Sequence, residues 1–289
     1  MTIIFGLLSA FSYGYADFVG ALAAKKVRAL TVTTISFCFG LLLAIFMSLF
    51  VGANFSQAAI SSGIYAGIAS GIAISCLYAA LALGPISIVS PLTAVISAVI
   101  PVIFDLATGA ELGPFALIAI SLVLVAVVLV AFVPGQDFRL PSLRALLYSL
   151  GAGVGFAGIF VFLDGAPSDS GLATLIVMRV VGITLMLAGL TYAFFKYRPK
   201  QFLETSIFGR SLIWLVLLAG SGDVLGNVFF LVATRAGELA IAAVLTSLYP
   251  VGTILLARIV LKERIAKSQS LGIVLAIGAC VLIAIGKPA

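Results

Sequence analysis

Ten apolar stretches, joined by connections mostly too short to fold on their own, constrain this chain more than any other feature. They lie at about 3–22, 31–51, 59–83, 86–105, 113–133, 143–163, 171–195, 211–233, 238–260 and 269–286. A membrane-crossing helix needs ~20 predominantly apolar residues, so ten crossings occupy about 200 positions. The reading is an all-α membrane protein of ten transmembrane helices. Only 9% of the residues are charged and 63% are hydrophobic, whereas in soluble domains roughly a quarter are charged. No soluble catalytic or nucleic-acid-binding domain fits in the remainder, and no nucleic-acid partner is expected. There is no histidine, and Cys38, Cys76 and Cys280 each stand alone in an apolar run. A metal site of the usual His/Cys kind, a disulfide and a cofactor are therefore not expected. The first stretch carries a loosely cleavable Gly14-Tyr15-Ala16 but no basic residues ahead of it, and it reads as a retained helix instead of a secretory signal.

The two halves repeat one plan. When Gly84 is laid on Gly237, Leu92-Thr93 falls on Leu245-Thr246, and after a one-residue gap Glu111 falls on Glu263. Residues 1–133 form the first repeat and 142–289 the second. The Pro/Gly-bounded segment 134–141, with Asp137 and Arg139, joins them. Five crossings per repeat leave the second copy upside down relative to the first. Loop charges agree, since Lys25, Lys26 and Arg28 follow the first stretch where Asp164 and Asp169 follow the sixth.

The second copy carries Gly-Asp-Val-Leu-Gly-Asn at 222–227, Ala-Gly-Glu-Leu-Ala-Ile at 236–241, Leu-Tyr-Pro at 248–250, Leu-Lys-Glu-Arg at 261–264 and Gln269 with Gly272. In these segments it resembles the EamA-type domain of the drug/metabolite transporter superfamily. The first copy keeps Gly84, Leu92-Thr93 and Glu111 but has Pro91 and Pro101 where the second has Val244 and Ile254. The resemblance implies a secondary transporter with two inverted five-helix repeats around a central cavity. It implies a small-molecule substrate, amino-acid-like, nucleoside- or sugar-like, or drug-like, carried by a monomer or homodimer in the lipid bilayer of a bacterial-type inner membrane.

Orientation follows from cation counting. Thirteen Lys and Arg, from Lys25 to Lys267, fall on the side opposite the N-terminus, against Arg235 and Lys287 on the N-terminal side. Positive loops stay in the cytoplasm, so both termini are expected outside.

Three ionisable residues lie within the stretches: Asp17, Arg179 and Asp223. Each costs about 2.5–3.5 kcal/mol at a helix centre on insertion scales. At about 1.5 Å per residue, Arg179 lies ~12 Å and Asp223 ~15 Å from the N-terminal side, so they can pair. Two readings stay open for the pair: a substrate anchor or proton carrier, or an ion pair that only holds two helices together. A proton is the coupling ion that such a carboxylate allows. Asp17 sits ~9 Å from the opposite side, within reach of cytoplasmic water or the nearby lysines. Asn227 follows Asp223 by one turn and Tyr13 precedes Asp17 by one turn, while Thr93, Thr246, Tyr78 and Tyr249 complete the candidate pathway. Pro91, Pro101 and Pro250 remove helix hydrogen bonds, and freed carbonyls are tolerated only against protein or a wet cavity. Lys262-Glu263-Arg264 reads as a helix-start and headgroup device. The glycine pairs 67/71, 151/155 and 222/226 read as close-packing sites.

Two rivals remain. Gly220-Ser221-Gly222-Asp223 matches the Gly-x-Gly-Asp pattern of intramembrane aspartyl proteases, with Asp17 as second acid. That chemistry needs two carboxylates sharing a proton, and the two differ in depth by several ångströms at about 1.5 Å per residue. A channel would want a ring of like charges or a filter loop, and neither is present.

Overall fold

Apolar helices leave no unpaired backbone polar groups in hydrocarbon, and helices are what the chain forms. The computed structural model describes residues 1–24, 26, 29–83, 86–131, 142–196, 209–262 and 266–285. The elements are α1 (Thr2–Ala24), α2 (Ala29–Val51), α3 (Gln57–Leu83), α4 (Ile86–Ala107), α5 (Pro114–Ala131), α6 (Leu143–Asp164), α7 (Ala173–Lys196), α8 (Arg210–Arg235), α9 (Leu239–Thr246), α10 (Tyr249–Val260) and α11 (Lys267–Ile285). A 3-10 turn, Ser168–Ser170, precedes α7. Each expected stretch is found within a few residues of its expected ends, except that the ninth is split into α9 and α10. By length and composition eight spans can cross a membrane, with Leu239–Val260 counted as one, and Pro91–Ala107 and Pro114–Val130 add two shorter apolar helices. The inter-repeat segment 134–141 and Glu263 lie outside the described residues.

Chain chemistry explains several ends. Ser56 accepts from Ala59 N at the start of α3, and Ser142 from Ala145 N at the start of α6, both at 3.2 Å. These hydroxyls satisfy amides that have no partner in the first turn. Gln269 Oε1 reaches back to Ala266 N at 2.9 Å and performs this service for α11. The ninth span breaks because Pro250 has no N–H to give to the Thr246 carbonyl. The chain tightens instead, with Leu248 N donating to Leu245 O at 3.1 Å and Val251 N to Leu248 O at 2.8 Å. In α4, by contrast, the helix continues through both Pro91 and Pro101.

The largest packing seams run between the repeats: α3 on α6, α1 on α8, α5 on α11, α3 on α7, α4 on α6, α1 on α10 and α2 on α8. Exchanging each helix for its counterpart turns the α3–α6 seam into α8–α1 and the α3–α7 seam into α8–α2. Glycines set these seams. A Cβ on Gly220 of α8 would sit 2.5 Å from Ser36 O of α2, and one on Gly67 of α3 would sit 2.9 Å from Met178 O of α7. The pairs are repeat equivalents meeting equivalent carbonyls. Where lipid supplies no hydrophobic drive, such close backbone approach is what holds helices together. Gly155 on Ala73 and Gly226 on the Tyr13 ring form another equivalent pair.

One end of the bundle is closed. Thr2 is buried against Gly237, and Asp105 Oδ2, at the end of α4, accepts from Ala240 N at 2.8 Å. This carboxylate caps α9 from the other repeat. Arg235 donates to Ser170 Oγ at 3.0 Å and Gly171 O at 3.2 Å. Leu172 N bonds Gly52 O at 3.0 Å, and Asn54 Nδ2 bonds Asp169 Oδ2 at 3.1 Å. Every residue of α9 is buried, whereas α10 grows progressively exposed toward Val260.

Candidate functional site

A guanidinium in a bilayer-spanning helix needs a counter-charge and room, and α7 finds both on its neighbours. Arg179 is only 2% exposed and forms an ion pair through Nη2 with Asp223 Oδ2 of α8. Its Cζ lies 4.6 Å from the centre of the Phe37 ring of α2. The electron-rich ring face favours the cation, most strongly where water is excluded. Gly40, one turn on from Phe37, leaves the space: a Cβ there would lie 2.7 Å from Val224 Cγ2 and 3.9 Å from Arg179 Cζ. Arg179 and Phe37 are repeat equivalents, as are Gly182 and Gly40 and, in the register of the glycine seams, Asp223 and Ser70. The two equivalent residues meet face to face, which puts the pseudo-two-fold axis between them.

Asp223 keeps 27% exposure. One turn on, Asn227 is buried, and its Nδ2 donates to Asp223 O at 2.8 Å. This folds the amide back over the Asp223 turn and leaves Oδ1 without a protein donor. Tyr13 of α1 lies across Gly226, within 2.9 Å of where a Cβ would stand, and it feels the charges of Asp223, Arg179 and Asp17. Asp17 of α1 is exposed on the bundle. It feels the field of Asp223, and Tyr249 at the head of α10 feels Asp17. Among the described residues Asp17 has no ion-pair partner. The expected lysine contact is not made by Lys26, and Lys25 and Arg28 lie outside the described residues. α1 and α10 cross tightly here: a Cβ on Gly14 would sit 2.5 Å from Tyr249 O, and Thr253 Oγ1 donates to Gly14 O at 3.1 Å.

The remaining candidates are placed differently. Thr246 ends α9 fully buried, its hydroxyl without a partner. Thr93, its repeat equivalent, donates to Ser149 O at 3.4 Å and belongs to the α4–α6 seam. Tyr78 falls in α3, with its side chain outside the described ones. Pro250 marks the break behind Tyr249, whereas Pro91 and Pro101 lie in the unbroken α4. Phe37 and Gly40 were not among the sequence candidates. The sequence register that lays Gly84 on Gly237 sets Phe37 against Leu190, and only the seams of the folded protein set it against Arg179. An apolar groove of about 320 Å³ lined by Val95, Leu124, Val125, Val128 and Leu129 lies on the outer faces of α4 and α5, and it has no polar residue to serve this site.

Apolar spans wrapped about a charged centre define a multi-pass membrane protein. The chain belongs to the EamA-like transporter family, whose model matches residues 1–132 and 143–285. It is thus a membrane transporter of the drug/metabolite transporter superfamily, a family of transporters and not of enzymes. A search of curated proteins finds no significant sequence match. The fold is similar to that of a protein of known crystal structure, with a TM-score of 0.77, 17% sequence identity and 98% of each chain covered.

Proposed function

We propose that the protein is a secondary active transporter of small organic solutes, working by alternating access, with the Arg179–Asp223 pair at the substrate site. The observation that carries this reading is a buried ion pair at the pseudo-two-fold axis whose acid remains partly open to solvent. For a pair serving only to hold helices, replacement by apolar packing would be neutral or favourable. An axis between inverted repeats is where transporters place solutes, because rocking one repeat against the other then exposes a fixed site to each side in turn. The closed N-terminal end corresponds to one of these two states. The division into repeats at 1–133 and 142–289, the inner (plasma) membrane and external termini belong to the same proposal, supported by the cation count. The amino-acid-like, nucleoside- or sugar-like and drug-like solute classes also remain part of it, with a proton as coupling ion.

Solute counterflow in proteoliposomes tests the proposal. Vesicles preloaded with each member of a solute panel should accumulate at least one labelled member, and Asp223→Asn should abolish that accumulation. Accumulation by Asp223→Asn at the wild-type rate would remove the pair from the mechanism.

A further inference from the structure

In a transporter built from inverted repeats, exchanging the roles of the two repeats turns one end into the other. Positions that close the N-terminal end therefore have counterparts that meet when the opposite end closes, an argument that rests on the transport reading above. The register comes from the helices themselves. One alignment carries Ile86 onto Leu239 and Ala107 onto Val260, so α4 coincides end for end with α9 and α10. It lays Asp105 on Arg258 and Ala240 on Ser87, in the first turn of α4. The register of the seams, which sets Phe37 against Arg179, lays Thr2 on Arg144.

The N-terminal end is closed by specific bonds. α9 is buried along its whole length, and its own N-cap residue, Glu238, makes no side-chain bond to the first turn. Asp105 of the other repeat supplies that bond, accepting from Ala240 N at 2.8 Å, and Thr2 is fully buried against Gly237. A carboxylate at a helix start gains from the helix dipole as well as from the hydrogen bond. At the opposite end both counterparts, Arg258 and Arg144, are cations and both are exposed. A guanidinium has no acceptor to offer an amide of the first turn of α4. Closing that end would also bring positive charge toward the positive end of the α4 dipole. We propose that Asp105 is the gate residue of the N-terminal end, a latch between the repeats, and that Arg258 at the equivalent place denies the opposite end the same latch. The resting protein then waits with its N-terminal end shut, and Asp105 must release Ala240 N before the other state forms. Asp105 acts on the equilibrium between the two states and not on the solute.

Thiol labelling of the full-length protein in lipid nanodiscs, where both ends meet water, tests this. Ala240 is fully buried in this state, so Ala240→Cys, with Cys38, Cys76 and Cys280 replaced by alanine, reports opening of the N-terminal end to a water-soluble maleimide. Labelling should be slow in the otherwise unchanged protein and severalfold faster with Asp105→Ala. Asp105→Asn keeps an oxygen that can accept from Ala240 N and should quicken labelling less. Arg258→Gln, at the far end of the bundle, should also quicken labelling severalfold, because easing closure there favours opening here. Unchanged labelling in Asp105→Ala would overturn the proposal. So would faster labelling in Asp105→Ala with none in Arg258→Gln, since Asp105 would then be a local cap of α9 and no more. Arg258 is exposed, so its variant keeps the test open even where Asp105→Ala fails to fold. The expected labelling changes in a protein that counterflows no solute would leave the latch standing and sink the transport reading. Counterflow by a protein whose labelling ignores both substitutions would sink the latch and leave the transport reading standing.

Discussion

The two repeats share a backbone plan and differ at their shared centre. In the second, α7 and α8 bring Arg179 and Asp223 to the axis; in the first, the equivalent positions on α2 and α3 hold Phe37 and Ser70. The fourth span differs too, since α4 runs unbroken through two prolines while its counterpart is split into α9 and α10 ahead of Pro250. α10 meets α1 through Gly14 and Gly252 at backbone contact. Near-symmetry of seams with asymmetry of chemistry separates two tasks. The glycine-lined seams belong to the scaffold that both copies need, and the charge, its aromatic counterpart and the break belong to one copy each. In this account the first repeat supplies the surface against which the second repeat's ionic centre works.

The largest effect that would break this comparison is expected from removing one charge. Asp223→Asn or Arg179→Gln leaves its partner buried and unpaired, at a cost of about 3–5 kcal/mol. Membrane-inserted yield and the detergent melting temperature should both fall. Ser70→Ala, at the equivalent place, should leave both unchanged, and a comparable loss there would show that the halves are chemically equal after all.

Smaller effects sharpen it. Gly40→Ala drives a Cβ to 2.7 Å from Val224 Cγ2, whereas Gly182→Ala meets the Phe37 ring at 3.3 Å. Overpacking costs typically about 1–3 kcal/mol, and a β-branched valine has less freedom to turn aside than a ring at that separation. Thermal unfolding should rank Gly40→Ala below Gly182→Ala, and the reverse order would place the tight side of the axis in the wrong repeat.

Capping across the repeats comes next in size. Asp105→Ala removes the acceptor for Ala240 N and should cost about 0.5–2 kcal/mol, as loss of an N-cap does. Amide exchange at the start of α9 should quicken while exchange in α4 is unchanged, and equal protection in both proteins would deny the cap. An effect of similar size is expected of Phe37→Leu, which removes a ring face from Arg179 at a cost of about 0.5–2 kcal/mol. The stability difference should vanish when Arg179 is already Gln. If it persists, the ring acts through packing alone.

Most of the architecture was legible because apolar runs of bilayer length admit few arrangements, and because five crossings per repeat fix the inversion. Arg179 and Asp223 stood out for the same reason: a charge in an apolar run is conspicuous, and its depth can be counted from the helix end. Other features are set by packing between residues far apart in the chain. Phe37 is one of 21 phenylalanines and carries no signal until the seams of the folded protein set it against Arg179. Asp105 looked like a helix end, and only the approach of α4 to α9 makes it a cap. The break at Ser247-Leu248 was half legible: Pro250 announced a disturbance, but Pro91 and Pro101 announced the same in α4, where the helix runs on. Asp17 is a neighbour of loop lysines by sequence distance, and of these only Lys26 lies among the described residues.

The most direct measurement of the central claim is solute counterflow by the double variant Asp223→Asn/Arg179→Gln in proteoliposomes, with its melting temperature taken on the same preparation. With both charges gone neither is stranded, so stability should return to near the wild-type value. The account predicts a folded protein with no counterflow, because the site has lost its ionic centre while the glycine seams remain. A folded double variant that transports at the wild-type rate would contradict it, and would leave Arg179 and Asp223 as a helix clasp with no part in moving solute.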